Sequence, residues 1–126
     1  MSIAKLAPLI LGLALLTACE SHQDAPTTKG VCWHLADTTG GKFKFNQLAV
    51  NQPDLEHCAA ELEKMRISFL SLGAGQREVV GAYQGQFLFL KREGVFTSQT
   101  YEGFHYPFLL RTGDGRLATP GAMPRQ

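Results

Sequence analysis

No run of about 20 apolar residues, the length a bilayer-crossing helix needs, occurs in this 126-residue sequence. Nor is there an excess of either charge: 12 Lys and Arg stand against 11 Asp and Glu. A near-neutral chain without a polybasic stretch is not built for nucleic acid or for a lipid-headgroup patch. There are only three cysteines, too few for a dense disulfide scaffold. The chain contains no internal repeat, no low-complexity block, and no catalytic or cofactor motif such as a nucleophile elbow. These absences leave a small domain, expected to be non-enzymatic and without a cofactor.

What is present begins with a short apolar run, Leu6 to Leu16, behind the single positive side chain Lys5. Its length suits the apolar region of a signal peptide, about 7–15 residues. The run ends in Leu16-Thr17-Ala18-Cys19. A leucine, two small residues and a cysteine resemble the lipobox of bacterial lipoprotein precursors. The resemblance covers roughly the first twenty residues. It implies cleavage before Cys19, acylation of Cys19, and attachment to the bilayer through those acyl chains. Two or three chains anchor stably where one does not. In Gram-negative members of that class an Asp after the cysteine favours the inner membrane. Glu20 stands here, so the resemblance implies the cell envelope, at the outer membrane and facing the periplasm.

Residues 1–18 are thus expected to be the leader. Residues 19–30, polar and without periodicity, are expected to be the acylated end and a flexible tether. Residues 31–119 are expected to form one domain, and 120–126 a loose tail. Removing the leader takes away only Lys5 among the charges and none of the 12 aromatics.

Cys32 and Cys58 remain after the anchor. In an oxidising compartment paired cysteines normally form a disulfide. Closing a loop of about 27 residues would add roughly 3–4 kcal/mol on the chain-entropy model. The alternative is a metal site built from Cys32, His34 and Cys58, three ligands suited to copper or zinc. His57 cannot easily join them, because neighbours on a helix point about 100° apart.

Val31 to Ala36 alternates with period two, and Lys42 to Phe45 resumes that alternation after Asp37-Thr38-Thr39-Gly40-Gly41, which predicts a hairpin. The phase slips afterwards: Phe43 and Phe45 are odd-numbered, Leu48 and Val50 even. A bulge or strand end near Asn46-Gln47 explains the slip. Asn51-Gln52-Pro53-Asp54 predicts a helix start with Asn51 as cap. Leu55, Cys58, Ala59, Leu62, Met65 and Phe69 recur at helical spacing, and Gly73 suits the end. Glu56, Glu61 and Glu63 are read as a solvated face. From Val79 the period returns to two: Val79 to Tyr83, Gln86 to Leu90, Val95 to Tyr101 and Phe104 to Arg111 read as strands, with a return through Arg116-Leu117-Ala118. Pro107 removes a ladder donor and predicts an edge or a bulge. The fold class is therefore α+β. An N-terminal hairpin and a C-terminal meander form an antiparallel sheet, with one amphipathic helix on one face.

Gln86 to Leu90 is apolar on both faces, whereas a half-exposed sheet should alternate. The next hairpin carries Tyr101, Phe104, Tyr106 and Phe108. With no second helix to cover the far face, Phe87, Phe89, Tyr101, Phe104 and Tyr106 are the candidate partner-binding residues. The expectation is a binding or assembly module that docks an envelope protein. The alternative is a soluble-ligand or enzyme-inhibiting module. Gly103-Phe104-His105-Tyr106 resembles the Gly-x-x-Tyr loop of small lysozyme-inhibiting lipoproteins, although the predicted helix and the cysteine placement differ from theirs.

Overall fold

The structure is a computed structural model that describes residues 24–37, 42–73, 78–114 and 116–119. Residues 1–23, including Leu16-Thr17-Ala18-Cys19 and its expected acylation site, lie outside them, as does the tail from residue 120. The strands are β1 (Cys32–Asp37), β2 (Phe43–Ala49), β3 (Val79–Tyr83), β4 (Gln86–Lys91), β5 (Gly94–Ser98), β6 (Tyr106–Arg111) and β7 (Leu117–Ala118). One helix, α1 (Leu55–Ser71), stands between β2 and β3. The strands form one antiparallel sheet in the order β2-β1-β3-β4-β5-β6-β7. The expected α+β class is correct, with the helix carrying the chain from β2 past β1 to β3.

Local chemistry explains the elements. The β3–β4 turn has positive φ at both Gln84 (44°) and Gly85 (87°), the signature of a two-residue hairpin whose twist matches its strands. Opposite β1, Leu48 is the extra residue between the Cys32–Ala49 and Trp33–Gln47 pairs. That bulge is the phase slip: Phe43 and Phe45 turn to one side of the sheet and Leu48 to the other. A second register shift leaves Phe108 as the extra residue between the Phe96–Pro107 and Val95–Leu109 pairs, next to Pro107. The helix is capped by Asp54 and not by Asn51. The Asp54 backbone is extended, and its carboxylate accepts from His57 N–H at 2.8 Å. The true helix starts at Leu55, so Asn51 lies too far upstream to reach its free amides. Gly73, at φ 79°, follows the last turn as expected.

Cys58, Ala59, Leu62 and the half-buried Leu55, Met65 and Phe69 face the sheet. They pack on Cys32, Val79, Leu88, Leu90, Val95 and Leu109. Gly81 sets how close the helix comes. A Cβ there would overlap Leu62 Cδ1 and lie 2.5 Å from the Trp33 carbonyl. The Cys32–Cys58 disulfide, Cα–Cα 5.2 Å, staples helix to strand inside this core.

The far face is not left open. Leu35, Val80, Ala82, Phe87 and Phe89 are buried there, with Trp33, Phe43, Phe45, Phe96 and Tyr101 around them. The reason is the connection from β5 to β6. β2 and β5 are four strands apart, about 19 Å in a flat sheet. Yet the rings of Phe43 on β2 and Tyr101 just after β5 lie 4.5 Å apart. Tyr101 and His105 of that connection lie against Phe87 and Phe89 and cover that face. Ala25 also packs in this core, six residues ahead of the expected domain start, and Gly85 N–H donates to the Pro26 carbonyl at 2.8 Å. The described end of the expected tether therefore lies against the domain.

Candidate functional site

Cys32 and Cys58 are both buried, and their bond consumes the two sulfurs that a metal site with His34 would need. His34 meets the edge of Phe69 at 6.4 Å, and burial pushes its imidazole below its ordinary value of 6.5. Among the described residues no three His, Cys, Asp or Glu side chains gather as a metal site would require.

The five candidate partner-binding residues separate into two groups. Phe87 (0% exposed) and Phe89 (1%) belong to the far-face core, so a partner cannot touch them while the domain is folded. Tyr101 is half-buried against Phe43 and sits 5.7 Å from Phe89. His105 completes that lid. Its ring stacks on Phe89 at 3.5 Å and 11°, and its Nε2–H donates to the Tyr101 carbonyl at 2.9 Å. Phe104 (69% exposed) and Tyr106 (59%) point outward, edge-to-face at 4.8 Å. The connection from β5 to β6 thus sends Tyr101 and His105 inward and Phe104 outward.

Beside the exposed pair lies an open cleft of about 570 Å³. Its wall is polar: Gln86, Thr97, Gln99, Thr100 and Glu102. Gln86 leads the run Gln86 to Leu90, on the same side of the strand as Leu88 and Leu90. A polar residue at that core-facing position is the sequence signal for the cleft. Leu88 lies opposite Thr97. The Thr97 hydroxyl is shared between Gln86 Oε1 (3.0 Å) and the Phe87 carbonyl (2.8 Å). That contact holds the Gln86 amide oxygen and leaves its Nε2 donors without a partner among the described residues. The loop is braced from within. Thr100 N–H donates to Ser98 Oγ at 3.1 Å, and Thr100 Oγ1 donates to the Glu102 carbonyl at 2.7 Å.

No family model, curated protein or solved structure matches this chain.

A second cavity, about 450 Å³, lies between α1 and β7. Ala60, Ile67, Leu109 and Leu117 line it, with Lys64 and Arg116 beside them. Close to it, Glu63 is buried (5% exposed), contrary to a solvated face. Arg111 explains this. Its Nε and Nη2 meet the two carboxylate oxygens at 2.9 Å each, and its Nη1 donates to the carbonyls of Lys91 and Arg92. Arg66 adds a third contact to Glu63 at 3.2 Å. Every oxygen and most donors of the pair are used inside the fold, as a structural ion pair requires. Among the described residues no helix is long and apolar enough to cross a membrane.

Proposed function

We propose that this chain is a lipoprotein anchored through Cys19 to the envelope, at the outer membrane and facing the periplasm. Its folded domain is a non-catalytic binding module. The observation that carries the binding reading is the exposed Phe104–Tyr106 pair beside a polar cleft. Large aromatics left in solvent forgo burial that the rest of this aromatic set achieves. The anchoring reading is supported by Leu16-Thr17-Ala18-Cys19 and by a buried disulfide, which suits an oxidising compartment. With Cys32 and Cys58 bonded, neither offers a thiolate nucleophile.

The covered far face reshapes the partner reading. Without Phe87 and Phe89 the contact surface is a corner, not a whole sheet face. That corner favours a small epitope or a ligand, including the enzyme-inhibiting alternative, in which the loop Gly103-Phe104-His105-Tyr106 would be presented to a soluble enzyme. Cys19→Ala should move the full chain out of the membrane fraction and remove the acyl mass from its N-terminal peptide. Membrane retention with unchanged mass would overturn the anchor. Phe104→Ala tests the module: loss of a co-purifying envelope partner at unchanged thermal midpoint is the expected result.

A further inference from the structure

Given that the Phe104–Tyr106 corner is the contact surface, we infer that its cleft receives a neutral saccharide. A pyranose ring would stack on the face of one of the two aromatic rings, which stand edge-to-face, with its hydroxyls on the polar wall. The charges narrow the ligand first. Among the described residues Glu102 is the one charged residue lining the cleft, and no Lys, Arg or His lines it. A phosphate or carboxylate ligand would meet that carboxylate with no cation to offset it. A hard cation would find one carboxylate where it needs several oxygens.

The remaining chemistry excludes two further classes. A plain acyl chain would desolvate Gln86, Gln99 and Glu102 without giving them hydrogen bonds, which is costly. An extended peptide adding to the sheet needs a free strand edge. Here Phe96 and Thr97 of β5 pair with Pro107 and Tyr106 of β6, and Phe87 to Lys91 of β4 pair with β5 on its other side. A saccharide meets both demands. Its C–H faces are apolar and match the exposed rings. Its hydroxyls both donate and accept, and so can use the Gln86 Nε2 donors and the Glu102 carboxylate together. The Thr97 contact presets the Gln86 amide, and the two Thr100 hydrogen bonds preset the loop. Binding therefore need not order them first. The volume, about 570 Å³, falls in the usual range of ligand sites. The cleft is open, so a segment of a longer glycan can run through it.

The test uses the full-length chain in a detergent without a sugar headgroup. The probes are the β-1,4-linked hexamers of glucose and of N-acetylglucosamine, titrated by NMR. At least one should give saturable shifts at the Gln86 side-chain amide and at the Phe104 and Tyr106 rings. The expected dissociation constant is on the order of 1 mM or tighter. Phe104→Ala should weaken binding by about tenfold or more with an unchanged thermal midpoint. Lys64→Ala, in the other cavity, should change nothing. No saturable shift with either probe at ~10 mM overturns the inference, as does binding that Phe104→Ala leaves intact. If the sugars fail but Phe104→Ala still strips a co-purifying envelope protein, the ligand class is wrong and the contact corner stands. If neither readout moves, the corner falls with it.

Discussion

Arg111 and Glu63 are 48 residues apart in sequence and share two hydrogen bonds across the domain. Arg111→Met leaves a buried carboxylate facing only Arg66 and should lower stability by roughly 3 kcal/mol in denaturant titrations. Adding Glu63→Leu should recover part of that loss, because no buried carboxylate is then left facing the apolar Met, although Arg66 loses its partner. A second residue gives a pH signature. Burial holds the folded pKa of His34 below its ordinary 6.5. As pH falls through about 6.5 the unfolded chain takes up that proton first. The His34 contribution is therefore fully present above the unfolded pKa and is lost as pH drops through the lower folded one. Unfolding free energies measured from about pH 7.5 to pH 5 should decline, and His34→Gln should flatten the curve over that window.

At the scale of elements, α1 is fastened by Cys58 at one end and by Glu63 midway. Cys58→Ser should cost roughly 2–5 kcal/mol, and unfolding of the reduced wild-type chain should show the same loss. Much at this scale is legible in the residue pattern alone. The 3.6-residue spacing from Leu55 to Phe69 marks the buried side of α1, and the odd-to-even switch after Phe45 marks the Leu48 bulge. Glu63 is not legible in that way. A carboxylate at that spacing belongs to a solvent face unless a partner arrives, and Arg111 comes from the far end of the chain. The cap is ambiguous for a local reason. Asn51 and Asp54 are both good caps, and Pro53 fits either the first turn after Asn51 or the position before Asp54, so composition alone does not choose between them.

For the whole molecule, the deciding feature is the one least visible in sequence. Phe87 and Phe89 read as an uncovered sheet face because period-two patterning reports sidedness, not which loop lies over a side. The cover shows only when Phe43 and Tyr101, 58 positions apart, are found in contact. The two aromatic groups should consequently respond in opposite ways. Phe87→Ala should cost about 3–5 kcal/mol and lower the thermal midpoint. Phe104→Ala should leave the midpoint nearly unchanged and act only on binding. Differential scanning calorimetry on both variants separates core from contact surface.

The strand order has a consequence for how the chain reaches this shape. Apart from β3, each strand after the first pairs with the one just before it in sequence. A chain of that kind can zip up hairpin by hairpin, with little loop entropy to overcome at each step. The exception is β3, which must find β1 after the excursion through β2 and α1. The Cys32–Cys58 bond closes the first part of that excursion, joining the first residue of β1 to the first turn of the helix that lies over β3. Once it has formed, the slowest search in the topology becomes a shorter one. Oxidation then governs not only how long the domain stays folded but how soon it gets there.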